Sequence, residues 1–442
     1  MSYIKVKVRA FYNCDMKLNK ILITTILMLT SLICSAQDSF DRYFEESSLR
    51  IDFITVGNSQ TQSATVHNLR QEPVWGGPRT NLVEPFGYGE YRLDVFDHES
   101  GTLIYRRSFC SLFGEWRTTA QAKEESQAWY NSMSIPFPKE RILVDISARN
   151  KKDMQFYSIM KHEIDPESIF IDRAPLADNN VRKIQDNGGS ADKVDIVFLA
   201  EGYTKKEQKK FFKDAERFAE ALFSCPPFDS RRDDFNVWAV GLVSEESGTS
   251  SSGTGVYKNT ALKTGYYTFG LDRYLTTSDM KSIKDATWNV PCDAVFLLIN
   301  TNTYGGGGIY NSYACGTADN SRTLDVFTHE FGHSFAGLGD EYFESTVAYE
   351  DYYNLELELW EPNITTLVEF ESKWKDILPE GTPIPTPLNE ETKDKIGVFE
   401  GGGYLSEGVY RPMDHCMMRD YAPFCPACSR AIIRMIDFLT DK

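Results

Sequence analysis

Positive charge is scarce in this sequence. Its 442 residues contain 47 Lys and Arg against 64 Asp and Glu, which gives a formal net charge of −17 at pH 7. Proteins that bind the phosphate backbone carry clustered basic residues, so nucleic acid is not an expected partner. The acidity is typical of an exported protein that stays soluble. Some carboxylates also offer ligands for a structural Ca²⁺, although no D-x-D-x-D-G loop occurs.

Long hydrophobic runs are lacking outside the amino terminus. The one such run covers residues 21–33, with Lys17 and Lys20 before it and the small-residue stretch Cys34-Ser35-Ala36 after it. A basic start, a short apolar run and a small-residue cleavage site together form a secretory signal. Residues 1–36 are therefore predicted to be a signal peptide, with Met16 as an alternative start.

The same segment also indicates where the protein is located. Its apolar run is too short for a transmembrane helix, so no membrane anchor is expected after cleavage. A lipoprotein attached at Cys34 is disfavoured, because the bulky Leu32 and Ile33 precede that cysteine. We expect an exported protein that is periplasmic, bound to the cell surface or secreted.

Histidine is also scarce, and two of the six histidines form one motif. His329, Glu330 and His333 are an H-E-x-x-H sequence within an apolar pattern of helical spacing. Side chains four residues apart lie on one face of a helix, so both imidazoles can bind one Zn²⁺. Zinc lowers the pKa of a water ligand, and Glu330 is placed to accept its proton and pass it to the leaving amine. This pattern predicts zinc-dependent hydrolysis.

Catalytic zinc normally has a third protein ligand. In the long metzincin signature a glycine follows the second histidine by three residues, and a His or Asp lies three residues further. Here Gly337 follows His333 by four residues and Asp340 follows it by seven. Asp340 is the predicted third ligand, with Glu341 as the near alternative and His415 as the distant one.

Two segments resemble the M64 peptidases, a family named for IgA peptidase: H-E-F-G-H-S-F-A-G-L-G-D-E-Y at 329–342 and G-G-G-Y-L-S-E-G-V-Y-R-P-M-D-H-C-M-M-R at 401–419. The resemblance implies a secreted bacterial metalloendopeptidase of the metzincin type with a β domain before the catalytic one. It also implies a Met-turn at Met417-Met418, with Met418 preferred as the apolar floor under the metal. Immunoglobulin A as a substrate is implied only by the family name.

The periodicity predicts an α+β fold. Apolar and polar residues alternate from Leu49 to about Ile164, which is typical of an antiparallel β-sandwich. We expect this domain to serve for docking or support, because it shows no cluster of titratable residues. A strand, a long helix and a second strand follow Val194, which predicts an α/β metzincin-like zinc peptidase domain. The predicted units are a β-sandwich at 37–165, a linker at 166–193, and a peptidase domain at 194–442 with an acidic, aromatic insertion at about 344–400.

Seven cysteines remain after the predicted cleavage, and an exported chain is expected to pair some of them. Cys425 and Cys428 form a C-x-x-C, which occurs in redox sites and zinc knuckles, but no second C-x-x-C is present. A structural disulfide that involves Cys416, Cys425 or Cys428 and braces the Met-turn against the last helix is the favoured interpretation.

Other residues are predicted to lie in the substrate cleft. Tyr421 and Arg419 are candidate hydrogen-bond donors to the developing oxyanion, although a salt bridge is the more frequent role for such an arginine. The glycine-rich segment Tyr304 to Ile309 is a candidate cleft edge, where a peptide substrate adds as an extra strand or where the chain is simply a flexible loop.

The sequence thus predicts a secreted zinc endopeptidase whose substrates are extracellular proteins, host immunoglobulin-like proteins among them. One alternative is a peptidase directed at glycoproteins, in which the amino-terminal domain recognises sugar. The other is a cell-surface adhesin with a structural metal. Glu330 favours the enzyme, because a structural site has no use for a base.

Overall fold

The computed structural model describes residues 39–343 and 353–442. The predicted signal peptide and residues 344–352 of the predicted insertion lie outside these ranges. The chain is mixed α/β, with several sheets and few helices. Within the described ranges, no helix combines the length and apolarity that crossing a bilayer requires.

The amino-terminal part contains two four-stranded sheets. Its elements are β1 Phe44–Gly57, β2 Gln62–Glu72, β3 Tyr91–Asp97, β4 Leu103–Phe109, α1 Leu112–Trp116, α2 Gln121–Glu124, β5 Gln127–Pro138, β6 Ile142–Arg149, β7 Phe156–Ile164 and β8 Ile171–Asp172. One sheet has the order β5-β1-β2-β8 and the other β4-β3-β6-β7. The pairing is antiparallel as expected, except that the two-residue β8 runs parallel to β2.

The two sheets share one apolar core. Leu49, Ile51 and Phe53 of β1 are fully buried and belong to the same cluster as Leu93 and Val95 of β3. Alternation places every second side chain on one face of a strand, so the apolar residues of each sheet face inward. The strands predicted from this alternation are confirmed.

A six-stranded sheet forms the centre of the carboxy-terminal part. Its strands are β9 Asn180–Gln185, β10 Val194–Glu201, β11 Phe235–Gly241, β14 Ala294–Ile299, β15 Gly306–Ile309 and β16 Tyr313–Thr317, in the order β15-β16-β14-β10-β11-β9. The four inner strands are parallel, whereas β9 and β15 are antiparallel edges. Every residue of β10 and β14 is buried, as expected for strands covered on both faces.

The segment 166–193 has more structure than the predicted linker. Its residues 171–172 pair with β2, and its residues 180–185 pair with β11. Part of its polar composition belongs to these edge strands, which expose one side to water, whereas residues 186–189 lie outside them.

The remaining elements surround the sheet. They are α3 Gln208–Leu222, β12 Ser250–Ser251, β13 Gly265–Tyr266, α4 Met280–Thr287, α5 Thr323–Ala336, β17 Phe399–Gly402, β18 Leu405–Arg411, α6 Met417–Asp420 and α7 Pro426–Leu439. Helix α5 packs against β15 and β16, with Phe327 and Phe331 fully buried. Part of the predicted insertion has a small core of its own around Ile364, and Trp374 packs into the main core.

Candidate metal centre

The H-E-x-x-H residues lie in the last two turns of α5. The helix ends at Gly337, which has φ +65°, and the Gly337 N–H donates to the carbonyl of His333. Glycine adopts this left-handed conformation without steric cost, so it is the usual residue at such a helix end. The chain therefore reverses here and brings Asp340 back beside the helix.

Three ligand atoms converge at this point. Nε2 of His329 lies 3.1 Å from Nε2 of His333, and Oδ1 of Asp340 lies 3.1 Å and 3.3 Å from these two nitrogens. Ligands of a tetrahedral Zn²⁺ at about 2.0–2.1 Å are separated by about 3.4 Å. Oδ1 of Asp340 is buried and accepts no hydrogen bond of good geometry. The three residues therefore fit a metal ion.

Backbone carbonyls orient both imidazoles. Nδ1 of His329 donates to the carbonyl of Met417 at 2.9 Å, and Nδ1 of His333 donates to the carbonyl of Leu338 at 2.6 Å. A proton on Nδ1 leaves the lone pair of Nε2 free in the neutral imidazole. The two rings are thus held in the tautomer that binds a metal.

The charges of the three groups depend on one another. Burial lowers the pKa of His333, but the carboxylate of Asp340 outweighs this effect and raises that pKa to about 9 when no metal is bound. Burial is the largest single effect and lowers the pKa of His329, but the contact with Asp340 and the charges of Asp340 and Glu330 together raise it. The pKa of Asp340 is lowered, since the two histidines outweigh its own burial. A divalent cation would replace the protons on the histidines.

Two family models match the chain. One is described as IgA Peptidase M64 and matches residues 182–395 and 388–436, which is more than half of the chain, and the other is described as Peptidase M64 N-terminus and matches residues 39–159. The protein belongs to the M64 peptidase family. It is therefore a peptidase, and hence a hydrolase, of a family that is generally metal-dependent. The resemblance seen at 329–342 and 401–419 is confirmed, whereas no curated protein matched the chain.

In this M64 peptidase the three candidate ligand residues line a pocket of about 150 Å³. Glu330 lies in the same pocket, between the two histidines in sequence. Burial raises the pKa of its carboxyl group, although the two histidines oppose that effect. A carboxylate with a raised pKa is a stronger base than one in water, which suits proton abstraction.

The glycine-rich strand β15 packs directly against helix α5, which carries His329 and His333. A Cβ atom on Gly308 would sit 2.3 Å from the carbonyl oxygen of Glu330, and one on Gly306 would sit 3.0 Å from Cγ of Glu330. Glycine is thus required for this close approach. The strand is an edge, but Leu275 N–H donates to the Gly306 carbonyl and Cys110 N–H donates to the Tyr310 carbonyl. The stretch of this edge left for a substrate strand is therefore short.

Tyr421 lies at the rim of the site. Its ring centre is 5.7 Å from that of His329, and its hydroxyl is 2.7 Å from the hydroxyl of Tyr304. Tyr304 lines the pocket, so this contact places the phenol of Tyr421 beside it. Arg419, the other candidate donor, instead pairs with Asp414 in a salt bridge.

The two methionines of the predicted Met-turn have different roles. Met417 contributes its carbonyl to His329. Met418 is fully buried, and its Sδ lies so close to α5 that a Cβ atom on Gly332 would be 3.0 Å from it. The Met418 side chain therefore packs beneath the helical turn that separates the two histidines.

The alternative third ligands lie elsewhere. His415 is half exposed and pairs with Asp420. Glu341 is fully buried and faces a group of three cysteines instead of the histidines. Among the described residues, the groups that could hold a metal are this one and the histidine pair with Asp340. Both contain sulfur or nitrogen donors, which Ca²⁺ does not favour.

Several cleft residues had no signal in the sequence. Glu90, Cys110 and Glu115 belong to the amino-terminal domain, yet they line the same pocket as the histidines. The amino-terminal domain, for which the sequence predicted docking or support, thus forms one wall of the cleft. Tyr404 also lines the pocket and was missed, because its contact with Asp340 joins residues that are 64 positions apart.

Proposed function

We propose that the protein is an exported zinc-dependent endopeptidase that hydrolyses peptide bonds in extracellular proteins. The observation that carries this proposal is the convergence of the two Nε2 atoms and Oδ1 of Asp340 within 3.3 Å, in the pocket that also contains Glu330. Two imidazoles and one carboxylate leave a tetrahedral zinc with one open position, which is the arrangement of catalytic zinc sites.

Glu330 and Tyr421 have separate roles in the proposed peptide hydrolysis. When bound, the metal supplies a Lewis acid that polarises the scissile carbonyl and acidifies a water molecule. Glu330 accepts the proton of the attacking water and transfers it to the leaving amine, because its carboxyl has the raised pKa that suits both steps. Tyr421 donates a hydrogen bond to the carbonyl oxygen as negative charge develops there.

Finer features of the proposal have separate support. The two apolar-faced sheets that share one core favour a β-sandwich for the amino-terminal domain. A glycine-ended helix, a carboxylate ligand from the following turn and a methionine beneath the helix favour a metzincin-type catalytic domain. The basic and apolar segment at 17–36 favours export. Immunoglobulin-like substrates are supported only by the description of the family.

The substitution Glu330→Gln tests the proposal. It removes the base but keeps the size of the side chain and leaves all three ligands in place. We expect cleavage of a proteome-derived peptide mixture to fall by roughly 10²- to 10⁴-fold, with unchanged zinc content. The measurements are product identification by mass spectrometry and metal analysis of the purified protein.

Glu216→Gln is the matched control. Glu216 is exposed on α3, away from the cleft, so this variant should cleave at the wild-type rate. A wild-type protein that cleaves nothing in the mixture with zinc present would favour the adhesin with a structural metal. Equal activities of Glu330→Gln and wild type would remove Glu330 from the mechanism.

A further inference from the structure

A second group of side chains that can bind a metal lies next to the Met-turn at Met417-Met418. It consists of Glu341, Cys416, Cys425 and Cys428, all of them buried. One ligand atom from each residue lies within 4.8 Å of the others. The three cysteines are free thiols in the structure, not the disulfide expected from the sequence.

The distances in this group are those of a coordination shell. Sγ of Cys416 is 3.7 Å from Sγ of Cys428, and Oε1 of Glu341 is 3.1 Å from Sγ of Cys428 and 3.8 Å from Sγ of Cys425. Sulfur ligands at about 2.3 Å from a tetrahedral zinc are separated by about 3.8 Å. These three separations are close to those in a tetrahedral zinc site, and all four atoms lie within 4.8 Å of one another.

The carboxylate gives a second indication. Oε2 of Glu341 is buried without a hydrogen-bond partner, and Oε1 receives a hydrogen bond from the amide of Asn363 at 2.9 Å. Burial of a carboxylate with an unpaired oxygen is costly unless a cation compensates it. The Arg411 guanidinium interacts with the charge of Glu341, but its hydrogen bonds go to the carbonyls of Glu400 and Gly401 and to Asp414. A bound cation is therefore the direct way to pair Oε2 of Glu341.

Backbone N–H groups are directed at the sulfur atoms. Cys425 N–H donates to Sγ of Cys416 and Cys428 N–H donates to Sγ of Cys425, both at 3.4 Å. Cys425 is also the N-cap of α7, where the helix dipole favours negative charge. Such donors stabilise thiolates, which are the form that binds metals.

We propose that Cys416, Cys425, Cys428 and Glu341 form a structural Zn²⁺ site, separate from the histidine site. Four protein ligands close the coordination shell and leave no position for water or substrate, which distinguishes a structural from a catalytic zinc. Three sulfur ligands select zinc over Ca²⁺ or Mg²⁺.

This second site braces the first. Glu341 directly follows Asp340, and Cys416 directly precedes Met417, whose carbonyl holds His329. The Glu341 N–H also donates to the carbonyl of Met418 at 2.8 Å. A metal that links Glu341 and Cys416 to the start of α7 would therefore hold two parts of the histidine site in place. These parts are Asp340 and the Met417 carbonyl, which orients His329.

The double variant His329→Ala/His333→Ala tests the proposal without relying on activity. It removes the histidine site and leaves the cysteines intact. We expect the purified protein to retain one zinc equivalent, with X-ray absorption showing sulfur neighbours at about 2.3 Å. Loss of all zinc from this folded variant would overturn the proposal, and so would zinc with only nitrogen and oxygen neighbours. Because the readout is the ligand type of the remaining zinc, it is independent of whether the protein cleaves peptides.

A cysteine series provides the reciprocal test. Cys425→Ser/Cys428→Ser should lose one zinc equivalent relative to wild type and melt at a lower temperature, whereas Cys225→Ser, at a half-buried cysteine outside the group, should keep both equivalents. If the double cysteine variant does not fold, the absorption spectrum of the wild-type protein decides, since it must contain zinc–sulfur scattering. A disulfide among Cys416, Cys425 and Cys428, found by mass spectrometry of the unreduced protein, would overturn the proposal.

Discussion

The hydroxyl of Tyr404 donates a hydrogen bond to Oδ2 of Asp340, the second oxygen of the carboxylate whose Oδ1 faces the histidines. Tyr404 lies in the turn between β17 and β18. The same turn binds the backbone around the ligand, with Gly403 N–H donating to the Asp340 carbonyl and Tyr404 N–H donating to the Tyr342 carbonyl. The orientation of the Asp340 carboxylate thus depends on a hairpin that is distant in sequence.

Tyr404→Phe should therefore weaken metal binding. The substitution removes the outer hydrogen bond to the ligand but keeps the ring, and such losses typically lower metal affinity by roughly 10- to 100-fold. Competition with a chelator measures the affinity. Tyr410→Phe, in the same hairpin but bonded to Glu400, is the control and should bind zinc as the wild type does. Equal affinities of the two variants would show that Tyr404 does not orient Asp340.

The affinity for zinc should rise with pH. In the metal-free protein the pKa of His333 is raised to about 9, because Asp340 outweighs burial. Zinc binds neutral imidazoles, so below that pKa binding must release at least the proton of His333, and the apparent affinity should increase at least about tenfold per pH unit. Above pH 9 this contribution should vanish. Chelator competition between about pH 6 and pH 10 provides the measurement.

Asp340→Asn is the comparison for the pH series. The variant lacks the carboxylate that raises both histidine pKa values, so its affinity should be lower and should depend less on pH in the range from about 7 to 9. A wild-type affinity that does not change over this range would contradict the protonated state of the histidines.

Tyr421→Phe should slow the reaction without weakening substrate binding. If the phenol hydrogen-bonds the developing oxyanion, its loss should reduce kcat by roughly 10²-fold and leave KM similar, because the interaction strengthens only in the transition state. Tyr304→Phe removes the partner hydroxyl and keeps that of Tyr421, so its effect should be smaller. Steady-state kinetics on one defined peptide compares the two. An unchanged kcat in Tyr421→Phe would assign the residue to packing.

Gly308→Ala should disturb the site through the backbone. The new Cβ atom would lie 2.3 Å from the Glu330 carbonyl oxygen, so β15 and α5 must separate. Overpacking of this kind costs about 1–3 kcal/mol of stability. We expect reduced thermal stability and reduced activity.

Gly189→Ala is the matched control for that substitution. Gly189 has open space around its Cβ position and a φ of −68°, which alanine tolerates. This variant should match the wild type in both melting temperature and activity. If Gly308→Ala also matches the wild type, the contact between β15 and α5 is looser than the distances indicate.

Some parts of the site were predictable because the residues that determine them are close together in the sequence. The helix at 323–336 and the meeting of His329 with His333 follow from residues four apart on one helix. The choice between Asp340 and Glu341 was not decided locally. Their side chains reach different groups, since Oδ1 of Asp340 lies beside the histidines and Oε1 of Glu341 lies 3.1 Å from Sγ of Cys428.

The non-local features were missed for related reasons. The C-x-x-C at Cys425 suggested a disulfide, because nothing in the sequence shows that the Glu341 carboxylate lies 3.1 Å from Cys428. Glu90 and Glu115 enter the cleft only because the two domains pack together. Strand β2 has few apolar residues and stands half exposed, so its alternation is too weak to be recognised from the sequence.

The pairing of the antiparallel strand β9 determines where a fragment that contains the peptidase domain can begin. A cut at the end of the polar stretch, at residue 193, would remove β9 and leave the N–H and C=O groups of β11 without partners along that side. Unpaired strand edges associate with other chains, so a fragment of this kind would tend to aggregate. A cut before residue 180 keeps β9 paired with β11. Residues 180–185 of the predicted linker are thus part of the peptidase sheet and should be kept in any fragment.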